Sequence, residues 1–347
     1  MGKILKRGLL SCGLCLCSWL LQAQGALPAA QGVSLMAQGV SLTAQAQPLS
    51  AELLGQFRLA VPPGEYSGIC YLEDDLYAVV DDDDPGAGLH IFSLPLGRSG
   101  RPRAVWQFRV DAGQDASSAP DNEDIVYVSA TKTFWVCSEA QASIKEYDRA
   151  GRPTGRSVLV PETMKNAPAN GGLEALATDG TSLWTLSEMP LKGDAPLRHQ
   201  LLRFSLETRS LSGLTVYECD PPLKGPEDTR AYVHGISALT ALPDGRLLVL
   251  EREVYVPAGS AMEALEGSFG RALIYVTDPL RDTRLPLQKT LLAQINTSAA
   301  NLANLEGMCL GRPLPDGRPT LLLIADSERG KGGLTKEYLF VLALEGL

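Results

Sequence analysis

The chain has 347 residues, of which 45% are hydrophobic and 20% charged, and this composition excludes disorder of the whole chain. Its formal net charge of −9 argues against nucleic-acid binding, because an acidic protein repels the phosphate backbone. Cys70, Cys137, Cys219 and Cys309 each lie in an apolar run and predict buried free thiols rather than a disulfide-stapled scaffold.

Residues 1–23 have the features of a signal peptide. Lys3, Lys6 and Arg7 precede the apolar run 8–21, which at 14 residues is short for the alternative, a retained membrane anchor. Removing these three cations changes the net charge from −9 to −12. We expect a periplasmic or extracellular protein with no membrane span after cleavage. Residues 24–50 contain the duplication AQGVSLM, AQGVSLT and predict a flexible tether before a domain at 51–347.

From Leu49 onward, short apolar runs alternate with Gly, Pro, Asp and Asn, which is typical of an all-β fold. A hairpin pattern occurs five times, with a polar residue near each end. In an antiparallel hairpin, residues equidistant from the turn are neighbours. The five pairs that satisfy this rule are Ser67 with Asp82, Glu123 with Glu139, Glu174 with Glu188, Ser237 with Glu251, and Glu306 with Asp326.

Two further strand-like runs follow each of the first four hairpins, but only 338–344 follows the fifth. The N-terminal run 53–61 resembles the fourth run of the first unit and supplies the missing strand. Repeats spaced by 51 to 69 residues fit one blade each. The sequence therefore predicts an all-β β-propeller of five four-stranded blades, closed by the N-terminal strand. A six-bladed ring is the alternative, with a degenerate blade between Ser237 and Glu306.

The hairpin register places the first member of each pair in an inner ring at the channel mouth, with its partner behind it. Clustered carboxylates must raise their pKa values, recruit cations or spread into water. A divalent cation is one solution, Ca²⁺ ahead of Mg²⁺, because Ca²⁺ tolerates irregular carboxylate-rich shells. Pairing with Arg252 inside the ring is the other. The candidate metal ligands are Glu123, Glu174, Glu306, Asp82 and Asp326.

In their order, these segments resemble the bacterial phytase-like family, described by its "esterase-like activity of phytase". The matching pairs are SGI with VVDDD, NEDI with VCSE, LEAL with LSEMPL, GISAL with LVLERE, and NLEGM with IADSE. The resemblance covers most of residues 52–346 and implies an exported, propeller-like phosphoesterase. It departs from the family pattern at Asn122 and Ala175, where Pro and Gly are usual. The functional positions that it implies are Glu123, Glu174, Glu188, Glu251, Arg252, Glu306 and Asp326.

The first functional hypothesis is a Ca²⁺-assisted phosphoesterase with Glu188, Glu139, Glu251 and Arg252 as candidate catalytic residues. Arg252, with Arg198 or Lys192, would offset the charge of the phosphate. The second hypothesis is a non-catalytic propeller that uses metal for rigidity and binds a glycan or peptide. The third is a metal-dependent lactonase or sugar-acid hydrolase. In each case we expect a monomer, with a small phosphorylated or sugar-like ligand for the enzyme.

Overall fold

The computed structural model describes residues 48–84, 88–103, 106–110, 121–330 and 335–347. The predicted signal peptide and the heptapeptide duplication lie outside these residues. None of the helices in the described part of the chain has the length and apolar character needed to cross a membrane.

Strands form wherever the short apolar runs occur. The first is β1 (Ser50–Arg58). Blade 1 contains β2 (Tyr66–Glu73), β3 (Leu76–Asp81), β4 (Leu89–Ser93) and β5 (Trp106–Val110). Blade 2 contains β6 (Asn122–Val128), β7 (Thr133–Ser138), β8 (Ser143–Tyr147) and β9 (Pro153–Ser157). A 3₁₀ helix (Glu162–Asn166) precedes blade 3, which contains β10 (Leu173–Thr178), β11 (Ser182–Ser187), β12 (Arg198–Ser205) and β13 (Leu211–Glu218).

Blade 4 is the longest unit. It contains β14 (Thr229–Ala241), β15 (Leu247–Pro257), β16 (Phe269–Thr277) and β17 (Lys289–Ser298), with helix α1 (Ala261–Gly267) between β15 and β16. Blade 5 contains β18 (Asn304–Gly311), β19 (Thr320–Asp326) and β20 (Tyr338–Glu345), and a second 3₁₀ helix (Glu328–Gly330) follows β19.

The N-terminal strand closes the ring. Strand β1 pairs with β20 in antiparallel register, from Ser50 opposite Glu345 to Arg58 opposite Tyr338, and becomes the outermost strand of blade 5. This arrangement confirms the five-bladed propeller closed by its own N-terminus. The six-bladed alternative is wrong, because the long β14–β15 hairpin, α1 and the two outer strands of blade 4 occupy the interval that would have held another blade.

The apolar side chains are distributed among five main cores, one between each pair of neighbouring blades. For example, Leu322 of blade 5 is fully buried against Tyr66 and Val79 of blade 1. The four cysteines of the described region are free and buried, as their apolar runs predict. Burying strand side chains on both faces gives continuous apolar runs, which explains why the sequence shows runs rather than strict alternation.

Two outer strands lie away from their predicted positions. Strand β9 is at 153–157 rather than 157–160, and all five of its residues are exposed. An outermost strand need not be apolar, whereas Val158 and Val160, which suggested a strand, pack into the core between blades 2 and 3. Strand β1 begins at Ser50, three residues earlier than predicted, because its pairing with β20 extends to Glu345.

Candidate functional site

The first strand of every blade carries a β-bulge at the position that the hairpin register assigns to the inner ring. In blade 3, Leu173 pairs with Ser187 and Ala175 pairs with Leu186, so Glu174 is the extra residue. The same shift in pairing occurs at the ring position of the other blades. A bulge redirects a side chain and interrupts the ladder, and bulges are frequent next to functional sites. The five bulged residues are Ser67, Glu123, Glu174, Ser237 and Glu306.

In each hairpin, one pair of residues comes directly before the bulge. On the second strand, the residue that follows the member of this pair also contributes a side chain to the site. Because Ile236 pairs with Glu251, the residue of blade 4 that corresponds to Glu188 of blade 3 is Arg252. The predicted pairing of Ser237 with Glu251 is therefore off by one residue. The five equivalent positions all line one cavity, and they are Asp82, Glu139, Glu188, Arg252 and Asp326.

This cavity at the channel mouth has a volume of about 520 Å³, within the range of small-ligand sites. Glu174 lies in it together with Glu123 and Glu306, as the register predicts. Arg252 is the one cationic side chain among the described lining residues. Ten carboxyl groups share the lining with it: Glu65, Asp82, Asp121, Glu123, Glu139, Glu174, Glu188, Glu306, Asp326 and Glu328.

Arg252 neutralises one group of these carboxylates. Its Nη2 donates to Glu188 Oε1 at 2.7 Å and to Glu174 Oε1 at 3.1 Å, and its Nη1 forms an ion pair with Glu306. Nη1 also donates to Asn304 Oδ1 at 3.0 Å. Burial by itself would lower the pKa of the guanidinium, but the three carboxylates raise it well above its ordinary value. Arg252 therefore stays charged and joins blades 3, 4 and 5.

A second group of carboxylates has no cationic partner within the described part of the chain. Asp121, Glu123 and Glu139 each offer an oxygen, and these three atoms lie within 4.8 Å of one another. None of the salt bridges formed by the described residues includes any of the three. Burial, followed by the charge of Glu174, raises the pKa of Glu123 well above its ordinary value. Glu123 and Asp121 share a side-chain hydrogen bond. Two carboxyl groups held this close can share a proton, and a cation can take the place of that proton.

The charge of Glu306 acts on two further carboxyls, Asp82 of blade 1 and Asp326 of blade 5. Burial and the charge of Glu306 raise the pKa of Asp82 to about 9 and that of Asp326 to about 8. Asp82 Oδ1 is buried without a hydrogen-bond partner among the described residues. Both groups keep their protons at neutral pH in the absence of a cation.

The cavity-lining residues run from Glu65 to Glu328 and fall within one family match. The family described as "Phytase-like: Esterase-like activity of phytase" matches residues 61–328. The chain belongs to the phytase-like family.

This phytase-like protein is similar at low identity to several solved structures. The nidogen/laminin complex has 9% identity, with a TM-score of 0.42, over 82% of this chain and 87% of that chain. Streptogramin B lyase has 15% identity, with a TM-score of 0.35, over 86% and 98%. Hydrazine synthase of Kuenenia stuttgartiensis has 10% identity, with a TM-score of 0.35, over 80% of each chain. No curated protein matches the sequence.

Several residues that the sequence predicted as site residues of this phytase-like chain lie outside the cavity lining. Glu251 points between the blades, where it accepts hydrogen bonds from Tyr217 Oη at 2.5 Å and from the backbone N–H of Asp220 at 2.8 Å. Arg198 pairs with Glu218 at 2.8 Å at an exposed position. Lys192 is exposed and is not a lining residue.

The two serine side chains of the predicted ring also lie outside the cavity lining. Ser67 Oγ donates to Glu65 O at 3.1 Å, and Ser237 Oγ donates to Leu305 O at 2.9 Å. Both hydroxyls thus satisfy backbone carbonyls. The inner ring of this phytase-like site consists of three carboxylates rather than five polar side chains.

Sequence reasoning did not identify Asp121, Asn304 and Glu65 as members of the site. Asp121 and Asn304 each lie two residues before a ring glutamate, a repeated spacing that was visible in the sequence. Asn304 Nδ2 donates to Glu306 Oε1 at 2.7 Å and so fixes that carboxylate beside Arg252. The left-handed backbone of Asp121 (φ 54°) and the bulge at Glu123 bring their carboxyls together, and neither feature has a clear sequence signal.

Proposed function

We propose that this phytase-like protein is an exported phosphoesterase assisted by a divalent cation, with Asp121, Glu123 and Glu139 as the cation-binding residues. The family description and the predicted signal peptide support this proposal. It replaces the ligand set expected from the sequence, because Glu174 and Glu306 already share Arg252.

The observation that carries the proposal is the division of charge within one cavity. Arg252 pairs with Glu174, Glu188 and Glu306, whereas Asp121, Glu123 and Glu139 converge without a cationic partner among the residues that the structure describes. Holding three like charges in a buried cavity is unfavourable unless they bind protons or a cation.

The all-oxygen donor set fits a hard divalent cation, and Ca²⁺ is favoured over Mg²⁺ because the set is irregular and rich in carboxylates. When bound, such a cation would offset charge on a phosphate and lower the pKa of a water molecule. Glu139 is held in place because its Oε1 accepts a hydrogen bond from the backbone N–H of Gly171 at 2.9 Å.

The chain supplies groups that can move protons. Glu188 lines the cavity, and burial raises its pKa although Arg252 opposes this shift. We assign it the role of accepting a proton from the attacking water. Asp326, with its pKa raised to about 8, holds a proton that it can give to the leaving alcohol oxygen. Arg252 holds Glu174 and Glu306 in place through its ion pairs with them, and it acts as a positioning residue.

The test is hydrolysis of a panel of phosphate monoesters and diesters with Ca²⁺, with Mg²⁺ and with a chelator. We expect Ca²⁺-dependent turnover that falls at least 100-fold in Glu123→Gln and in Glu188→Gln. Glu218→Gln is the matched control, since Glu218 is an exposed glutamate outside the cavity. If the wild-type protein hydrolyses no phosphate ester under any of these conditions, the proposal is wrong, and turnover of lactones alone would select the lactonase hypothesis.

A further inference from the structure

Blade 4 extends beyond the channel mouth, unlike the other blades. Strand β14 starts at Thr229, eight residues before its bulged Ser237, whereas the first strands of the other blades start one or two residues before theirs. Strand β15 runs on to Pro257, six residues past Glu251. The extension is therefore a two-stranded antiparallel segment beside the acidic cavity, formed by residues 229–234 and 253–257.

The extension is held by its own contacts. Glu253 is buried and accepts hydrogen bonds from the backbone N–H groups of Leu223 and Lys224, at 2.9 Å each. Val254 and Val256 pack with Ala264 of α1 in a separate small core. An apolar core and a buried carboxylate that accepts several hydrogen bonds make a rigid element rather than a loose flap.

The extension contributes apolar surface to a cavity that is otherwise acidic. Tyr232 and Val233 line it, together with Met189 from the segment after β11 and Ala169 from the segment before β10. These residues come from blades 3 and 4 and the connection between blades 2 and 3. The phenol of Tyr232 is fixed, because its Oη donates to Lys224 O at 3.0 Å. Gly171 lies against the Met189 side chain, and a Cβ at that position would come within 3.0 Å of it.

The cavity thus has an acidic side and an apolar side. The lining carboxyls that form no salt bridge with another described residue, among them Asp82 and Asp121, come from blades 1, 2 and 5 and from the segment between blades 1 and 2. A substrate whose charged end is held on the acidic side through a cation would place its alcohol part against Tyr232 and Met189. The lining offers no second cationic side chain besides Arg252 among the described residues, so a second phosphate would have no protein partner.

We propose that the blade 4 extension is a specificity wall that selects phosphate monoesters of apolar or aromatic alcohols over esters of polyols. This inference rests on the phosphoesterase proposed above and names its substrate class. Tyr232 is the central residue of the wall, and Val233 and Met189 complete it.

The experiment measures binding and turnover of two probes with one phosphate each, 1-naphthyl phosphate and glycerol 2-phosphate, in excess Ca²⁺. Calorimetric titration should show at least tenfold tighter binding of 1-naphthyl phosphate. Tyr232→Ser should reduce this preference about tenfold, as expected for the loss of one apolar contact, and Met189→Ser should act in the same direction. Tyr71→Ser is the matched control, because Tyr71 is a half-buried tyrosine that lines a pocket of the inner strands away from the carboxylates.

Equal affinity for the two probes, no binding of either probe, or an unchanged preference in folded Tyr232→Ser and Met189→Ser would overturn the inference. Turnover of both esters with equal kcat/KM would also overturn it, while leaving the phosphoesterase proposal intact. Conversely, tight binding of 1-naphthyl phosphate that depends on Tyr232, without turnover of any ester, would support the wall and refute the phosphoesterase.

Discussion

Replacing Arg252 by methionine tests whether this side chain is the electrostatic centre of the cavity. Methionine retains much of the apolar stem but removes the guanidinium that pairs with Glu174, Glu188 and Glu306. Arg252 and its three partners are each less than 10% exposed. Removing one partner of a buried ion pair costs about 3–5 kcal/mol, because it leaves an uncompensated buried charge. For a protein with about 5–15 kcal/mol of stability, this cost is at least about a fifth of the total.

Urea denaturation at pH 8 and pH 5, without divalent cations, measures this effect. Removing the guanidinium raises the pKa values of Glu174 and Glu188 further, so the folded variant binds more protons than the folded wild type. The loss of stability should therefore be large at pH 8 and smaller at pH 5. Arg198→Met, at an exposed pair, is the control and should change the free energy of unfolding by less than about 0.5 kcal/mol. A cost for Arg252→Met below about 1 kcal/mol at pH 8, or an equal cost at both pH values, would refute the reasoning.

Three further predictions concern the acidic cavity and the blade cores. The raised pKa values of Asp82 and Asp326, about 9 and about 8, mean that the folded protein binds more protons than the unfolded chain. Cation-free stability should therefore fall as pH rises from about 4 toward these values, and urea denaturation should show a shallower slope for Asp82→Asn. Ca²⁺ at 100 times its Kd should stabilise the wild type by about 2.7 kcal/mol, and differential scanning calorimetry should show that Glu123→Gln loses this gain. Leu322→Ala should cost about 2–5 kcal/mol in chemical denaturation, because it leaves a cavity between blades 5 and 1. A pH-independent stability, a Ca²⁺ response retained in Glu123→Gln, or a core substitution without cost would contradict the respective argument.

Local patterns were enough to predict the propeller. Apolar runs and turn residues are local signals, and equal distances from a turn follow from antiparallel pairing. The fifth repeat lacks a fourth strand, so the sequence also predicted that the N-terminal strand completes it. The pairing of β1 with β20 confirms this closure. The outer strand β9 was misplaced because an exposed strand carries no apolar signal.

The cavity itself was only partly predictable. The sequence placed Glu123, Glu174 and Glu306 at one mouth, and the structure brings all three into the same lining. The sequence could not show whether Glu251 or Arg252 faces the cavity. Neighbouring residues on a strand point to opposite faces, so a register shift of one residue exchanges them.

The sequence by itself determined the closure and the identity of the ring glutamates and favoured five blades over six, because these features depend on repeats and hairpin register. Only the tertiary structure decided how the charges are shared. The bulges turn Glu174 and Glu306 toward Arg252 from other blades, and the backbone before β6 brings Asp121 to Glu123. Contacts between residues 52 to 78 positions apart in the chain depend on the packing of whole blades, which no local pattern encodes.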